Sequence, residues 1–362
     1  MSRLPLYEAN QTPKLTLPAF HTSKTYNSGL RFNKFCNQWQ ADWTLKLSSS
    51  SSNNPKLDWI NKFTNPKQPH GQQSQLNALI KRRNKLVERQ AGVENYFKTQ
   101  GAFTTGMGNP HPVENGFTWH HILGTPYLTG SSVKGMVRAW CEQWLDDEDF
   151  KDETQEIACK RIFGSDKESK DNNTGSVVFH DVIPAAPVRL KAEIMTPHYS
   201  EYYQSAENDI TPPGDWLNPI PIPFLAVEKE QMFHFMITPR TSQYKADTEQ
   251  CMQWLKDALQ YTGAGAKTAS GYGYFEEHSL AMSWIEKETK DICKNETMNK
   301  EQKIFRARFQ KALADRWQEI EDENLKKEVF DKLKEYWEQE GYWEAPPKGS
   351  SRKAKEIYAA FF

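Results

Sequence analysis

Among 362 residues there are only five cysteines and no CxxC pair. Cys36, Cys141, Cys159, Cys251 and Cys293 are scattered, which argues against a zinc ribbon and a disulfide framework; reduced, mostly buried thiols in a cytoplasmic protein are expected. No run of about 18 apolar residues occurs, and the N-terminal MSRLPLYEANQTPKL lacks the apolar segment of a signal peptide, so neither membrane insertion nor export is expected. A dominant charge is also missing. Lys+Arg 46 against Asp+Glu 47 leaves a formal net charge of -1, so any phosphate-binding face has to be a local patch. HExxH and HxxEH are absent, HPVE at 111–114 is too little, and no histidine and carboxylate cluster has metal spacing, so no metal or cofactor is expected.

What is present can build a core. Hydrophobic residues make up 37% and aromatics 12% of the chain, although a mean hydropathy of -0.80 implies much solvated surface. The most unusual stretch is GAGAKTASGYGYF, Gly263 to Phe275. Gly263, Gly265, Gly271 and Gly273 let the backbone take positive φ, and exposed N–H groups in such a turn, beside Lys267 and Thr268, form an anion-binding concavity. A turn that merely reverses the chain is the alternative. Ala266 precedes Lys267 and Tyr261 stands five before that, so the stretch is not a Walker A loop. It follows an amphipathic segment and precedes a strand-like Tyr272, Tyr274 and Phe275, so it is not a dinucleotide fingerprint either. Phosphate contact without nucleotide hydrolysis is the expectation.

Residues 1–92 read as a partly helical accessory region. SGLRFNKFCNQW places Leu30, Phe32, Phe35 and Trp39 on a partly apolar face, and the run Ser48 to Ser52 with Asn53, Asn54 and Pro55 breaks any regular element. The spacing of Leu76, Leu79, Ile80, Leu86 and Val87 predicts a helix over 74–90. Its Lys81, Arg82, Arg83 and Lys85 form either a solvated face or a contact to backbone phosphate.

Next comes an alternation of strands and helices. Strands are expected at Tyr96–Thr105, Phe117–Leu123 (or a hairpin arm), Gly175–Ile183, Arg189–Thr196, through Phe224–Ile237, and at Tyr272–Glu276. Ser131 or Ser132 offers a hydroxyl cap to a helix carrying Val133, Met136, Val137, Trp140, Cys141 and Trp144. That helix start turns free N–H groups outward beside Ser131, Ser132, Lys134 and Arg138. A second helix is expected over 246–261. Polar, acidic stretches fill 146–175, and a proline- and tyrosine-rich insertion lies near 195–223. The order β-α-β-β-α-β predicts an α+β core at 93–276, of the ferredoxin-like or RRM type. Beyond it, 277–362 reads as a helical extension with Phe305, Phe309, Leu313, Trp317, Ile320, Leu325, Val329, Leu333, Tyr336 and Trp337 as a core stripe.

These pieces carry a resemblance. PYLTGSSVKGMVR, IFG followed by GSVVFHD, MTPHY, DWLNPIPIPFLAV and GAGAKTASGYGYF, over roughly 93–276, resemble the RAMP superfamily of CRISPR proteins. Within it they are similar to the sixth RAMP subunits of type III-B Cmr effector complexes, with LRFNKF as weaker support. The resemblance implies a non-catalytic structural subunit of an RNA-guided ribonucleoprotein. It would bind guide RNA toward its 3′ end, with complementary target RNA, neighbouring RAMP subunits and a small helical subunit as partners. The family's RNA-cutting subunit carries an aspartate in the loop after its first strand. The similar loop here, GMGNPHPVENG, has only Glu114.

The physical expectation is that Ser131, Ser132, Lys134, Arg138, Gly263, Gly265, Lys267, Thr268, Gly271 and Tyr272 converge on one phosphate track, with Arg82 as a further contact. Tyr199 and Tyr272 would either stack on bases or pack in the core. Two competing classes stay open. One is a metal-independent ribonuclease using His120, His121, His111 or His198; adjacent histidines on a strand point to opposite faces, so His120 and His121 would not act as a pair. The other is a protein-only interaction module working through the C-terminal helices. Ser131 and Lys134 spell S-x-x-K without SDN or KTG, a coincidence.

Overall fold

The structure, a computed structural model, describes residues 27–38, 54–150, 152–165, 173–199, 202–203, 205, 212–214, 216, 219–293, 308 and 311–339. The N-terminal stretch, Trp39, the serine run, Asp215, Leu217, Asn218, Phe305 and Phe309 lie outside those residues. The chain divides into two compact units between Glu277 and His278.

In the first unit the order is α1 (Ser28–Lys34), α2 (Pro55–Asn61), α3 (Gln73–Gln90), β1 (Val93–Thr99), the short hairpin β2 (Pro110–His111) and β3 (Glu114–Asn115), then α4 (Gly130–Trp144) and α5 (Gln155–Phe163). There follow β4 (Val177–Phe179), β5 (Ile183–Pro184), β6 (Leu190–Met195), β7 (Ile222–Val227), β8 (Met232–Pro239), α6 (Lys245–Tyr261) and β9 (Phe275–Glu277). The central sheet runs β4-β8-β1-β9, every neighbouring pair antiparallel. Taken along the chain as β1-α4-β4-β8-α6-β9, this is the ferredoxin-like arrangement that the order of elements predicts.

Register explains which residues face where. Phe97 lies opposite Phe233, Asn95 opposite Phe235 and Val93 opposite Ile237, so these side chains share one face of the sheet. There they join Val133, Val137 and Trp140 of α4 and Leu255, Ala258 and Leu259 of α6 in one core. Phe32, Trp59 and Phe63 from the N-terminal helices belong to the same cluster. The alternate residues, Glu94, Tyr96 and His234, sit on the other face, where α3 packs on β8 and β1.

Several strands differ from expectation. Phe117–Leu123 forms no full strand but the arm of a tight hairpin: Trp119 bridges antiparallel to Pro126, and Gly124, at φ 59, donates its N–H to His120 O at 2.9 Å to close the turn. The His120 ring folds into that turn, its Nδ1 accepting from the N–H groups of Ile122 and Leu123. The strand expected over 175–183 is split into β4 and β5 around His180 and Asp181. β7 leaves the central sheet to pair with β6 from Leu190↔Val227 to Met195↔Ile222, forming a separate two-stranded sheet. The closing strand is only Phe275–Glu277, with Tyr272 and Tyr274 in the loop before it.

Cysteine usage is corrected too. Cys141 and Cys159 form a disulfide between α4 and α5, while Cys36, Cys251 and Cys293 are free and buried. Antiparallel packing of two helices brings the pair together, which no local spacing signals.

In the second unit α7 (Leu280–Ile292), α8 (Lys311–Gln318) and α9 (Glu323–Gln339) enclose a core of Ala281, Ile285, Leu313, Val329 and Leu333. Ser279 caps α7 by accepting from Met282 N–H at 3.0 Å, and Trp317 Nε1 donates to Lys326 O at 2.8 Å. No helix of the described residues is long and apolar enough to cross a membrane.

Candidate nucleic-acid interface

Helix α4 starts one turn-position earlier than its serines suggest. The cap is Thr129, whose Oγ1 accepts from Ser132 N–H at 3.3 Å and lies within 2.9 Å of Ser131 Oγ and 2.8 Å of Ser132 Oγ. Thr129 is extended and its neighbour Gly130 is already helical, so Ser131 and Ser132 fall inside the first turn. The N–H groups there are not all free. Gly130 N–H donates to Asp181 Oδ1 at 2.7 Å, so a carboxylate of the chain already complements the positive end of the helix. Gly130 itself is required by a close approach, since a Cβ would lie 2.3 Å from Phe179 O.

The glycine-rich turn is also partly closed. The N–H groups of Gly263, Ala264, Ala266, Gly271, Tyr272 and Gly273 go to carbonyls of Ala258, Gly273, Thr104, Thr268, Lys267 and Ala102. Among the described residues no acceptor takes the N–H of Gly265, Lys267 or Thr268. Only part of the turn therefore has N–H groups left for a ligand. Gly265, at φ 86, sits where a Cβ would come within 2.3 Å of Thr104 O, which wedges the turn against the loop after β1. Lys267 holds φ 62 without being glycine, a left-handed conformation that costs a side chain-bearing residue about 1 kcal/mol or more.

The two turns lie side by side. Ser132 from α4 and Gly263, Gly265 and Thr268 from the turn line one cavity of about 510 Å³, with Gly106 to Gly108 from the loop after β1. Met136, Trp140 and Trp144 extend that wall along α4. Ser131, Lys134, Arg138, Lys267, Gly271 and Tyr272 are not on its lining.

The cations are divided. Lys267 Nζ lies 5.7 Å over the Phe224 ring and 3.6 Å from Met195 Sδ, turned toward β6 and β7. Tyr272 packs on the same Phe224 at 5.8 Å, and burial, with Glu193 beside it, raises its phenol. Tyr272 is half-buried in that contact. Lys134 is pushed below the ordinary lysine range by burial first and then by Arg138 and Arg240. Arg138 Nε donates to Glu142 Oε1 at 2.6 Å. Arg82 is exposed on α3, which covers the opposite face of the sheet, so it does not share this site.

Two histidines are occupied elsewhere, whereas His121 and His198 are exposed. His70 bonds Ser28 Oγ and Phe63 O, both at 2.7 Å, and burial pushes its pKa down to about 4. His111 bonds Phe32 O at 2.9 Å and accepts from Val113 N–H; burial again lowers it to about 4. Glu114 pairs with Lys56. No side chain lining the cavity titrates as an acid or base near neutral pH, and among the described residues no group of three metal-ligating side chains occurs. Sequence reasoning missed Thr129, Asp181 and the 106–108 wall; the threonine one residue before a glycine-serine helix start was the available signal.

A sequence model of the RAMP superfamily matches residues 96–276. The chain is 33% identical to the CRISPR system Cmr subunit Cmr6 of Pyrococcus furiosus, over 50% of this chain and 67% of that protein. It is 26% identical to the CRISPR system CMR subunit Cmr6 of Saccharolobus solfataricus, over 45% of this chain and 49% of that one. Among solved structures it is similar to a chain of the type III-B Cmr-beta bound to cognate target RNA, at a TM-score of 0.47 and 19% identity, covering 62% of this chain and 71% of that chain. The matched span opens inside β1 and closes inside β9, taking in the whole β-α-β-β-α-β core; the chain belongs to the RAMP superfamily.

Proposed function

We propose that this chain is the Cmr6-type subunit of a type III-B CRISPR effector ribonucleoprotein, a structural and non-catalytic component acting in the cytoplasm in antiviral defence. It holds the guide RNA toward its 3′ end, beside neighbouring RAMP subunits and a small helical subunit, while the guide pairs with target RNA. The observation that carries the reading is the shared cavity, where the Ser132 end of α4 meets the unengaged N–H groups of Gly265 and Thr268. Donors of this kind grip a phosphate spine whatever its sequence, as a reusable guide holder requires. Lys134 and Lys267 belong to the two elements that wall the cavity. The non-catalytic part is supported by cavity walls without a general acid or base, and by the structural bonds that His111 and His120 make.

The test is Lys134→Ala combined with Lys267→Ala in the assembled complex. RNA retention should fall about tenfold, and the slope of log affinity against log salt should flatten by about 1 to 2. Unchanged retention and slope would refute the phosphate track. Metal-independent fragments from labelled guide precursor would refute the non-catalytic assignment.

A further inference from the structure

The far end of the same cavity has a different chemistry. Trp140 stacks on Trp144 with centroids 5.6 Å apart and planes 13° apart, and on Tyr261 at 6.0 Å and 15°. The three rings form a column from the end of α4 to the end of α6. Its outer members are left in water, Trp144 62% and Tyr261 60% exposed. Trp140 in the middle is 9% exposed, and its indole N–H has no acceptor. Large flat apolar rings in solvent beside a cavity mark an interaction surface more than a folding requirement.

The surroundings are anionic. α4 ends here, so its last carbonyls carry the negative pole of the helix. Glu142, Asp146, Asp147, Glu148 and Asp149 follow at exposed positions, and Asp257 lies one turn before Tyr261. The cations nearest in sequence are already paired, Arg138 with Glu142 and Lys256 with Glu277.

We propose that the Trp144–Trp140–Tyr261 column docks an arginine-bearing segment of another protein chain. A guanidinium is planar and stacks on indole and phenol faces, while its N–H groups satisfy carboxylates at the rim. RNA fits this end poorly, because its phosphates would run toward a helix C-terminus and the acidic stretch 146–149 that follows it. One cavity is thus polarised: backbone donors at the start of α4, aromatic rings in an acidic rim at its end. That the partner is a sister subunit rests on the function proposed above; the chemistry of the surface does not.

The experiment uses the purified full chain and fluorescence anisotropy with a labelled (Arg-Gly)4 peptide, a (Lys-Gly)4 peptide and an octa-uridine strand. Trp144→Ala with Tyr261→Ala removes only exposed rings, and a thermal melt checks the fold. The double variant should bind the arginine peptide about tenfold more weakly. Wild type should prefer arginine over lysine, and octa-uridine binding should fall less than arginine-peptide binding in the variant. Equal arginine-peptide binding by variant and wild type, no binding by either, or loss of octa-uridine binding instead, each overturns the proposal. In the co-expressed complex, the aromatic variant should release protein partners after nuclease treatment, and the Lys134 and Lys267 variant should release RNA. A chain that joins no complex yet binds the arginine peptide through these rings refutes the functional reading and leaves this one standing.

Discussion

On one side of the central sheet, Phe97, Phe233, Phe235 and Ile237 meet the apolar faces of α4 and α6. On the other, Glu94, Tyr96 and His234 meet α3 and its buried Arg83. The same two strands supply both sets, because alternate residues point to opposite faces. The first side gains from burial alone, which needs area and close fit. The second needs matched partners, and they are incomplete: Arg83 Nε and one Nη, and His234 Nδ1, are buried without a hydrogen bond. Burial lowers the Arg83 pKa to about 10, against the pull of Asp181, Glu94 and Tyr96. The lesson is that the aromatic face stabilises the sheet, whereas the ionic face fixes where α3 sits at little net gain.

Substitutions can break this contrast. Phe235→Ala, at 0% exposure in the aromatic face, should cost about 3–5 kcal/mol in urea unfolding, and a loss under about 1 kcal/mol would show that the face does not carry the sheet. Glu94→Ala removes the acceptor 2.8 Å from His234 Nε2, leaving a fully buried imidazole with neither nitrogen bonded. The expected cost is about 2 kcal/mol, and a neutral result would mean that α3 repacks freely.

Acid should act on the ionic side through His180, and on the N-terminal helices through His70 and His111, which burial also holds at about 4. Burial first, then Arg83, hold His180 at about 4 against an ordinary 6.5. The unfolded chain therefore takes the proton first, and stability present above pH 6.5 is lost as pH falls toward 4. His180 is partly exposed, so screening reduces the loss at pH 5 to about 1 kcal/mol. Comparing urea midpoints at pH 7 and pH 5, His180→Gln should lose less stability than wild type by that amount; identical losses would remove His180 from the account.

Much of the core was legible because its signals are local. The apolar spacing in 74–90 and 246–261 matches α3 and α6 to within a residue, and the order of elements gave the sheet. The failures are tertiary. FTWHHIL pairs only through one antiparallel bridge, Trp119 to Pro126, because Gly124 closes a turn and folds the chain back on it at once. Three hydroxyls at 129, 131 and 132 all suit a cap, and only the extended backbone of Thr129 separates them. The glycine turn was read as open because its internal acceptors, Ala102 and Thr104, lie on a loop far away in sequence. Lys267 was grouped with Lys134 by charge, yet its side chain turns to Phe224. The stack of Trp144 and Tyr261 on Trp140 joins the ends of two helices, which no periodicity reveals.

Helix α4 is 15 residues of unbroken backbone, about 22 Å from the serine end to the tryptophan end. The phase between those ends is fixed by the pitch of the helix, not by any contact along the way. One residue inserted in its middle would swing everything beyond it by about 100°. The hydroxyls would stay in place while the indoles rotated off the groove, uncoupling two recognition events that the intact helix keeps in register.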